Sequence, residues 1–165
     1  MNVRPAVASD AGALVELAQS VAGEPEGWLI TDGEWRSVGD ERRYLRAIRR
    51  SAHAAVLVAE AEDRILGRLS ISRDPHPASR HVADVGLMVA ADARRRGVGR
   101  ALMQAAEDWA RETGVTKIEL HVFPYNEAAL ALYDELGYRR EGLRLRHYLR
   151  GGEFLDVVLM AKEIG

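Results

Sequence analysis

The chain has 165 residues, a formal net charge of −2 and no cysteine. That length suits one domain with a sizeable core, and the charge gives no global basic field for nucleic acid or an anionic membrane. Lack of cysteine rules out disulfides, thiolate metal sites and a cysteine nucleophile. The opening MNVRPAVASD has no apolar signal core, and no run is long enough to span a bilayer. A soluble, cytoplasmic protein is expected, one domain over residues 1–165 without repeat or linker.

In chain order, Val3–Val7 reads as a short strand. Ser9 and Asp10 offer N-cap chemistry to a helix whose apolar face is Leu14, Leu17, Ala18 and Val21. Gly23–Gly39 is a polar connection mixing Glu24, Glu26, Asp32 and Glu34 with Trp28 and Trp35. Acids with aromatics suit a cationic or amine ligand; the plainer reading is a connection whose tryptophans cover the core. Asp40 caps a second helix to about Arg50, with Tyr44, Leu45 and Ile48 inward. Ala54–Glu60 and Ile65–Ser72 read as a buried antiparallel hairpin around Glu62-Asp63-Arg64. Asp74-Pro75-His76-Pro77 breaks the chain, and His81–Val89 follows as the central strand, with Asp84 inside it. His76 and His81 have no third ligand at metal spacing, so no metal is implied.

Next comes ARRRGVGR, a turn with Gly97 and Gly99, then an amphipathic helix carrying Val98, Leu102, Ala105, Ala106 and Trp109 and stopped by Gly114. Strand, glycine-rich turn and helix make an anion site, because the first helix amides lack internal partners and the peptide dipoles favour negative charge there. Arg94, Arg95, Arg96 and Arg100 crowd that positive end, a conflict that a bound phosphate would relieve. A solvated arginine cluster or a nucleic-acid patch is the alternative. A mononucleotide loop would need Lys-Ser/Thr after Gly99, and a dinucleotide fingerprint would need a small residue where Leu102 stands. Lys117–Phe123 is a strand, Asn126 N-caps a helix ending at Gly137, and Tyr138–Leu149 and Phe154–Lys162 form a hairpin about Gly151-Gly152. The order predicts a mixed α/β sheet with helices on both faces and a ligand at the carboxyl end of the central strand.

Three stretches, Ala83–Val89, RRRGVGRAL and VFPYNEAALALYDELGY, together resemble the GNAT superfamily of acyl-CoA-dependent N-acetyltransferases. The family's turn pattern, Gln/Arg-x-x-Gly-x-Gly/Ala, is met by Arg94, Gly97 and Gly99. Its second signature is met by Asn126, Tyr133 and Leu136-Gly137-Tyr138. VRPAVASDAGAL and EGLRLRHYLRGGEFLDVVLMAK are similar to its first and last elements, so the resemblance covers essentially the whole chain. It implies a mostly antiparallel sheet of about seven strands, with acetyl-CoA as donor. The turn, Arg94 to Arg100 including Val98, would hold the pyrophosphate. The central strand would splay from its neighbour, and amides of Leu87, Met88 and Val89 would pair with the pantetheine arm that Asn126 contacts. Dimers are common in the family, which leaves a homodimer as a possible assembly.

The reaction implied is attack of a neutral amine on a thioester. An alkyl ammonium of pKa near 10 is about 99.9 % charged at pH 7, so a base is needed. Asp84 stands where many family members carry glutamate and is the candidate base, through water, or else only binds the amine. Tyr133 is the candidate acid for the leaving thiolate and contacts the cofactor, or else is a packed helix-face tyrosine. A backbone amide near Leu87 or Met88 would serve the oxyanion. Trp28, Glu26, Asp32, His76, Arg80, Arg146 and Tyr148 lie in segments that line the acceptor side in the family. Acids there suit a polyamine, and arginines suit an amino-acid carboxylate; a protein N-terminus is also open. The rival functions are a non-catalytic acyl-CoA sensor or partner domain and, less favoured, a nucleotide-binding oxidoreductase or kinase-like module.

Overall fold

The structure is a computed structural model and describes residues 1–30 and 35–165. One seven-stranded sheet, in the order β1-β2-β3-β4-β5-β7-β6, organises these residues. Its strands are β1 Asn2–Pro5, β2 Ala54–Ala61, β3 Arg64–Arg73, β4 Val82–Val89, β5 Lys117–Val122, β6 Arg139–Arg150 and β7 Glu153–Glu163. Every neighbouring pair is antiparallel except β4 with β5. The helices are α1 Ala11–Ala22, α2 Val38–Arg49, α3 Val98–Thr113 and α4 Glu127–Glu135. Among the described residues, no helix is long and apolar enough to cross a membrane.

Alternation along β3 shows how the layers are assigned. Gly67 faces α3, where an added Cβ would stand 2.9 Å from Val98 Cγ1, so only glycine admits the helix this closely. Its neighbour Arg68 points to the other face and approaches the fully buried Glu41 of α2 at 3.7 Å. Glu41 also takes Arg36 at 2.6 Å, so the desolvated carboxylate is met by two guanidiniums. Covered on both faces, β2 buries Val56, Leu57, Val58 and Ala59 in succession. The α3 stripe of Val98, Leu102, Met103, Ala106 and Ala110 closes the opposite core.

The expected order of strands and helices holds, and the differences are local. α1 starts at Ala11, after a short 3-10 turn at Ala8–Asp10. The Asp10 carboxylate accepts the Val7 N–H at 2.8 Å and pairs with Arg4, instead of capping α1 by its side chain. α2 is capped by Ser37, whose hydroxyl accepts the Asp40 N–H at 3.1 Å, which moves Asp40 into the first turn. Further 3-10 turns occupy Pro77–Ser79 and Ala91–Ala93; three residues carry too little periodicity to be read from sequence.

Candidate functional site

The parallel pair β4–β5 is short. Val82 pairs with Lys117, Ala83 with Ile118 and Asp84 with Glu119, and there the pairing stops. β4 continues along β3 to Val89, and β5 continues along β7 to Val122. The two central strands therefore part at Asp84, leaving a wedge whose facing edges carry backbone groups without a strand partner. Unpaired edge groups of this kind are ready to pair with an extended ligand. Leu87, Met88 and Val89 lie on the β4 side of the wedge.

The wedge opens toward the arginine turn. Arg95 has φ 61 and Gly97 φ 81, and Gly97 is the N-cap of α3 with no side chain capping the helix. An Ala at Gly97 would meet nothing within 4 Å, so backbone conformation and not space favours glycine. The leading amides of this sixteen-residue helix thus have no side-chain cap, the condition under which a helix start takes an anion. The arginines divide. Arg94 is spent inside the protein, with two bonds to the Glu24 carboxylate at 2.6 and 2.7 Å and its Nε on the Val89 carbonyl at 3.1 Å. Arg100 pairs with Glu135 at 2.5 Å. Arg95 and Arg96 have no ion-pair partner among the described residues, and their side chains are exposed. The charge conflict expected at the helix end is therefore half relieved by the fold itself.

Asn126 and Tyr133 belong to α4, which follows β5, Asn126 as its N-cap. The Asn126 side chain caps α4, accepting the Ala129 N–H at 3.2 Å. Tyr133 is buried against Tyr138, with ring centroids 5.9 Å apart. Burial raises its phenol well above the ordinary value, so it holds its proton at neutral pH.

On the α1/α2 face of the sheet, Asp84 and Glu119 stand side by side as register partners. Asp84 reaches solvent at the apex of the wedge, yet protein surrounds much of its carboxyl. This desolvation, then the neighbouring Glu119, push it up to about 6, with Arg144 acting the other way. Two residues further along β5, His121 shares a 2.7 Å hydrogen bond between its Nδ1 and the Tyr148 hydroxyl. Desolvation, then the charges of Arg144 and His147, lower the His121 pKa and favour neutral imidazole. Burial, followed by Asp84, raises that of Tyr148. The described start of the α1–α2 connection is tied to neighbouring elements. It is fixed by Glu24 on Arg94, by the Tyr125 hydroxyl donating to the Gly27 carbonyl, and by Arg150 donating to the carbonyls of Gly27 (2.9 Å) and Leu29 (2.5 Å).

Other acceptor-side expectations fall elsewhere. Between Arg144 and Tyr148 the β6 register slips, so Leu145 to His147 oppose Asp156 alone. Arg146 sits at the bulge with φ 50, donates its N–H to Asp156 at 2.7 Å, and lays its guanidinium over Phe154 at 4.1 Å. The arginine facing Asp84 is Arg144. His76 lies in the β3–β4 connection, before the stretch where β4 and β5 are still paired, and its Nδ1 accepts the Ala78 N–H at 3.1 Å. Arg80 is exposed in the same connection. Trp28 lies beside Tyr125 and donates to Glu24 at 3.3 Å, while Glu26 points to solvent. Asp32 lies outside the described residues. Glu119, His121 and Arg144 were not anticipated as site residues. Alternation on β5 put Glu119 and His121 on one face, but only the β4–β5 register sets them beside Asp84.

A sequence model of the acetyltransferase (GNAT) family matches residues 22–138. The L-amino acid N-acetyltransferase AaaT of Escherichia coli (strain K12) is 36 % identical over 110 residues, which is 64 % of this chain and 66 % of that protein. The [ribosomal protein bS18]-alanine N-acetyltransferase of the same strain is 36 % identical over 73 residues, 44 % of this chain and 49 % of that one. The chain thus spans slightly under two thirds of the first of these relatives and about half of the second. A GNAT-family acetyltransferase structure from Streptococcus pneumoniae superimposes with a TM-score of 0.90 and 28 % identity, covering 99 % of both chains.

Proposed function

Since the chain belongs to the acetyltransferase (GNAT) family, we propose that it transfers the acetyl group of acetyl-CoA to a primary amine within the β4–β5 wedge. The observation that carries this reading is the parting of the strands at Asp84, with an uncapped helix terminus at one end and a carboxylate of raised pKa at the other. Acetyl-CoA supplies an acyl group activated as a thioester. The amides of Val98, Gly99 and Arg100, with Arg95 and Arg96, bind the pyrophosphate. Gly97 sets the turn, and Arg94 holds it against Glu24. Leu87, Met88 and Val89 offer backbone groups to the pantetheine, and Asn126 contacts the arm from α4.

Asp84 takes the proton from the acceptor ammonium, and at pH 7 its pKa near 6 leaves it mostly ionised yet basic enough to act. Tyr133 keeps its proton until thiolate develops, then donates it. An amide at Leu87 or Met88 steadies the oxyanion. Holding both substrates in one wedge provides much of the acceleration.

The acceptor is the amine of an amino acid or of a protein N-terminus, the classes named for the two curated relatives. Trp28 and Arg144 line its site, with Arg144 in the place first given to Arg146 and His76. The whole chain works as one domain. The donor is an intracellular metabolite, which supports a cytoplasmic location. The exposed leucines of edge strand β6, Leu143, Leu145 and Leu149, support a homodimer.

Thiol release from acetyl-CoA, measured against amino acids, N-terminal peptides, polyamines and aminoglycosides, tests the reading. Release dependent on one amine class, with N-acetylated product, is expected. Acetyl-CoA binding without release on any class would point to a non-catalytic acyl-CoA-binding domain instead.

A further inference from the structure

We propose that the acceptor's non-reacting part is an aromatic or bulky apolar group, seated on a row of ring faces running from Trp28 to His147. This rests on the acetyl-transfer reading above and names the class of amine it acts on.

The row is continuous. Trp28 and Tyr125 have centroids 6.0 Å apart, Tyr125 stacks on Phe123 at 5.2 Å, and Phe123 meets Tyr148 edge-on at 6.4 Å. Tyr148 and His121 follow at 6.0 Å, and His121 and His147 at 5.5 Å. The row reaches the carboxylate pair where the strands part, since Glu119 is two residues before His121 on the same face of β5. Its members are not sealed in the core: Phe123 is buried, but Tyr125 is 42 % exposed, His147 is exposed, and Trp28, His121 and Tyr148 are half-buried.

Most polar tips of these rings are already engaged, the exceptions among the described residues being the His147 ring and His121 Nε2. Trp28 Nε1 donates to Glu24, the Tyr125 hydroxyl donates to the Gly27 carbonyl, and the Tyr148 hydroxyl and His121 Nδ1 share one hydrogen bond. The surface left for a ligand is therefore mainly ring face, which is apolar and geometrically specific. It is also held in place: the Arg150 guanidinium lies 5.3 Å from the Phe123 centroid while bonded to the loop carbonyls. A wall fixed before binding loses little freedom when it is covered.

Charge separates this reading from that of a polyamine. Rings beside acids also suit a second cation, but guanidiniums flank the row, Arg150 over Phe123 and Arg144 near Asp84. Arg144 has no ion-pair partner among the described residues; it offsets the attraction of Glu119 for a second ammonium and is available to a carboxylate.

The test compares kcat/KM at saturating acetyl-CoA for L-phenylalanine, L-alanine, L-aspartate and spermidine, and for phenethylamine against ethylamine. One methylene in an apolar pocket discriminates by about tenfold or more. Phenylalanine should therefore exceed alanine and aspartate at least tenfold, and phenethylamine should exceed ethylamine similarly. Tyr148→Ala should reduce the phenylalanine-to-alanine ratio at least fivefold, whereas Tyr148→Phe, which keeps the ring, should preserve it. A purely structural role would lower both rates and leave the ratio unmoved. Equal or better rates with alanine, aspartate or spermidine, or an unchanged ratio in Tyr148→Ala, would overturn the ring-wall proposal while leaving acetyl transfer intact. Release with none of these amines would refute acetyl transfer to them and the ring wall with it.

Discussion

Replacing Asp84 by asparagine should stabilise the fold while disabling its chemistry. The carboxyl is raised from 3.8 to about 6 by burial and by Glu119, so the folded protein disfavours the ionised form. Each pKa unit is worth about 1.4 kcal/mol, which sets an upper bound near 3 kcal/mol. Asp84 is in contact with solvent, and screening reduces this to about 1–1.5 kcal/mol. The sign follows from linkage. A group whose pKa is higher in the folded state stabilises folding when protonated, and that stability is lost as pH rises through about 6. At pH 8 the wild type bears the full cost of the charge and the amide does not. Melting of Asp84→Asn by scanning calorimetry at pH 8 should therefore exceed wild type by about 2–5 °C for a chain of this size. The gain should shrink as pH falls through 6 and disappear near 4. Loss of a general base should lower kcat/KM by about 100-fold or more. A variant no more stable at pH 8 would refute the crowding of Asp84, and one that retains wild-type turnover would refute its role as base.

Tyr133→Phe should lower kcat by about 100-fold while leaving acetyl-CoA affinity nearly unchanged, as read by single-turnover kinetics and calorimetric titration; unchanged turnover removes Tyr133 from the acid role. Asp84→Ala should lose most rate at neutral pH and recover part of it at high pH, where the free amine no longer needs a base; an unaltered pH–rate profile contradicts this. Replacing both Arg95 and Arg96 by alanine should raise the Kd for acetyl-CoA roughly two- to fivefold per charge and flatten its dependence on salt. Glu24→Gln loosens the start of the α1–α2 connection. Arg94 depresses the Glu24 carboxyl, so the pair stabilises above the ordinary carboxylate range and its contribution is lost as pH falls through the lowered folded value. The variant should melt about 2–4 °C lower at pH 7, with the difference fading in acid.

Much of the architecture is legible in the chain because it is written in local chemistry. The continuous apolar run of β2, the stripe of α3 and the glycines at 97, 114, 151 and 152 each specify their element without reference to distant residues. The donor half of the site is legible for the same reason: turn, helix start and strand end are contiguous from Asp84 to Arg100. The acceptor half is not contiguous. Asp84 meets Glu119 only through the register of a three-residue parallel pairing. Alternation alone would put Arg144, Arg146 and Tyr148 on one face; the bulge opposite Asp156 absorbs two extra residues and turns Arg146 away, leaving Arg144 and Tyr148 there. Arg94 shows the same limit, since its partner Glu24 lies 70 positions away and no local pattern announces the pair.

Amide-resolved NMR during an acetyl-CoA titration tests the binding role of the wedge between β4 and β5 most directly. Large shifts and slowed hydrogen exchange are expected at Leu87, Met88 and Val89 and at Val98, Gly99 and Arg100, with little change at Val82 and Ala83, which β5 already pairs. Shifts confined to another surface, or none on β4 beyond Asp84, would contradict it.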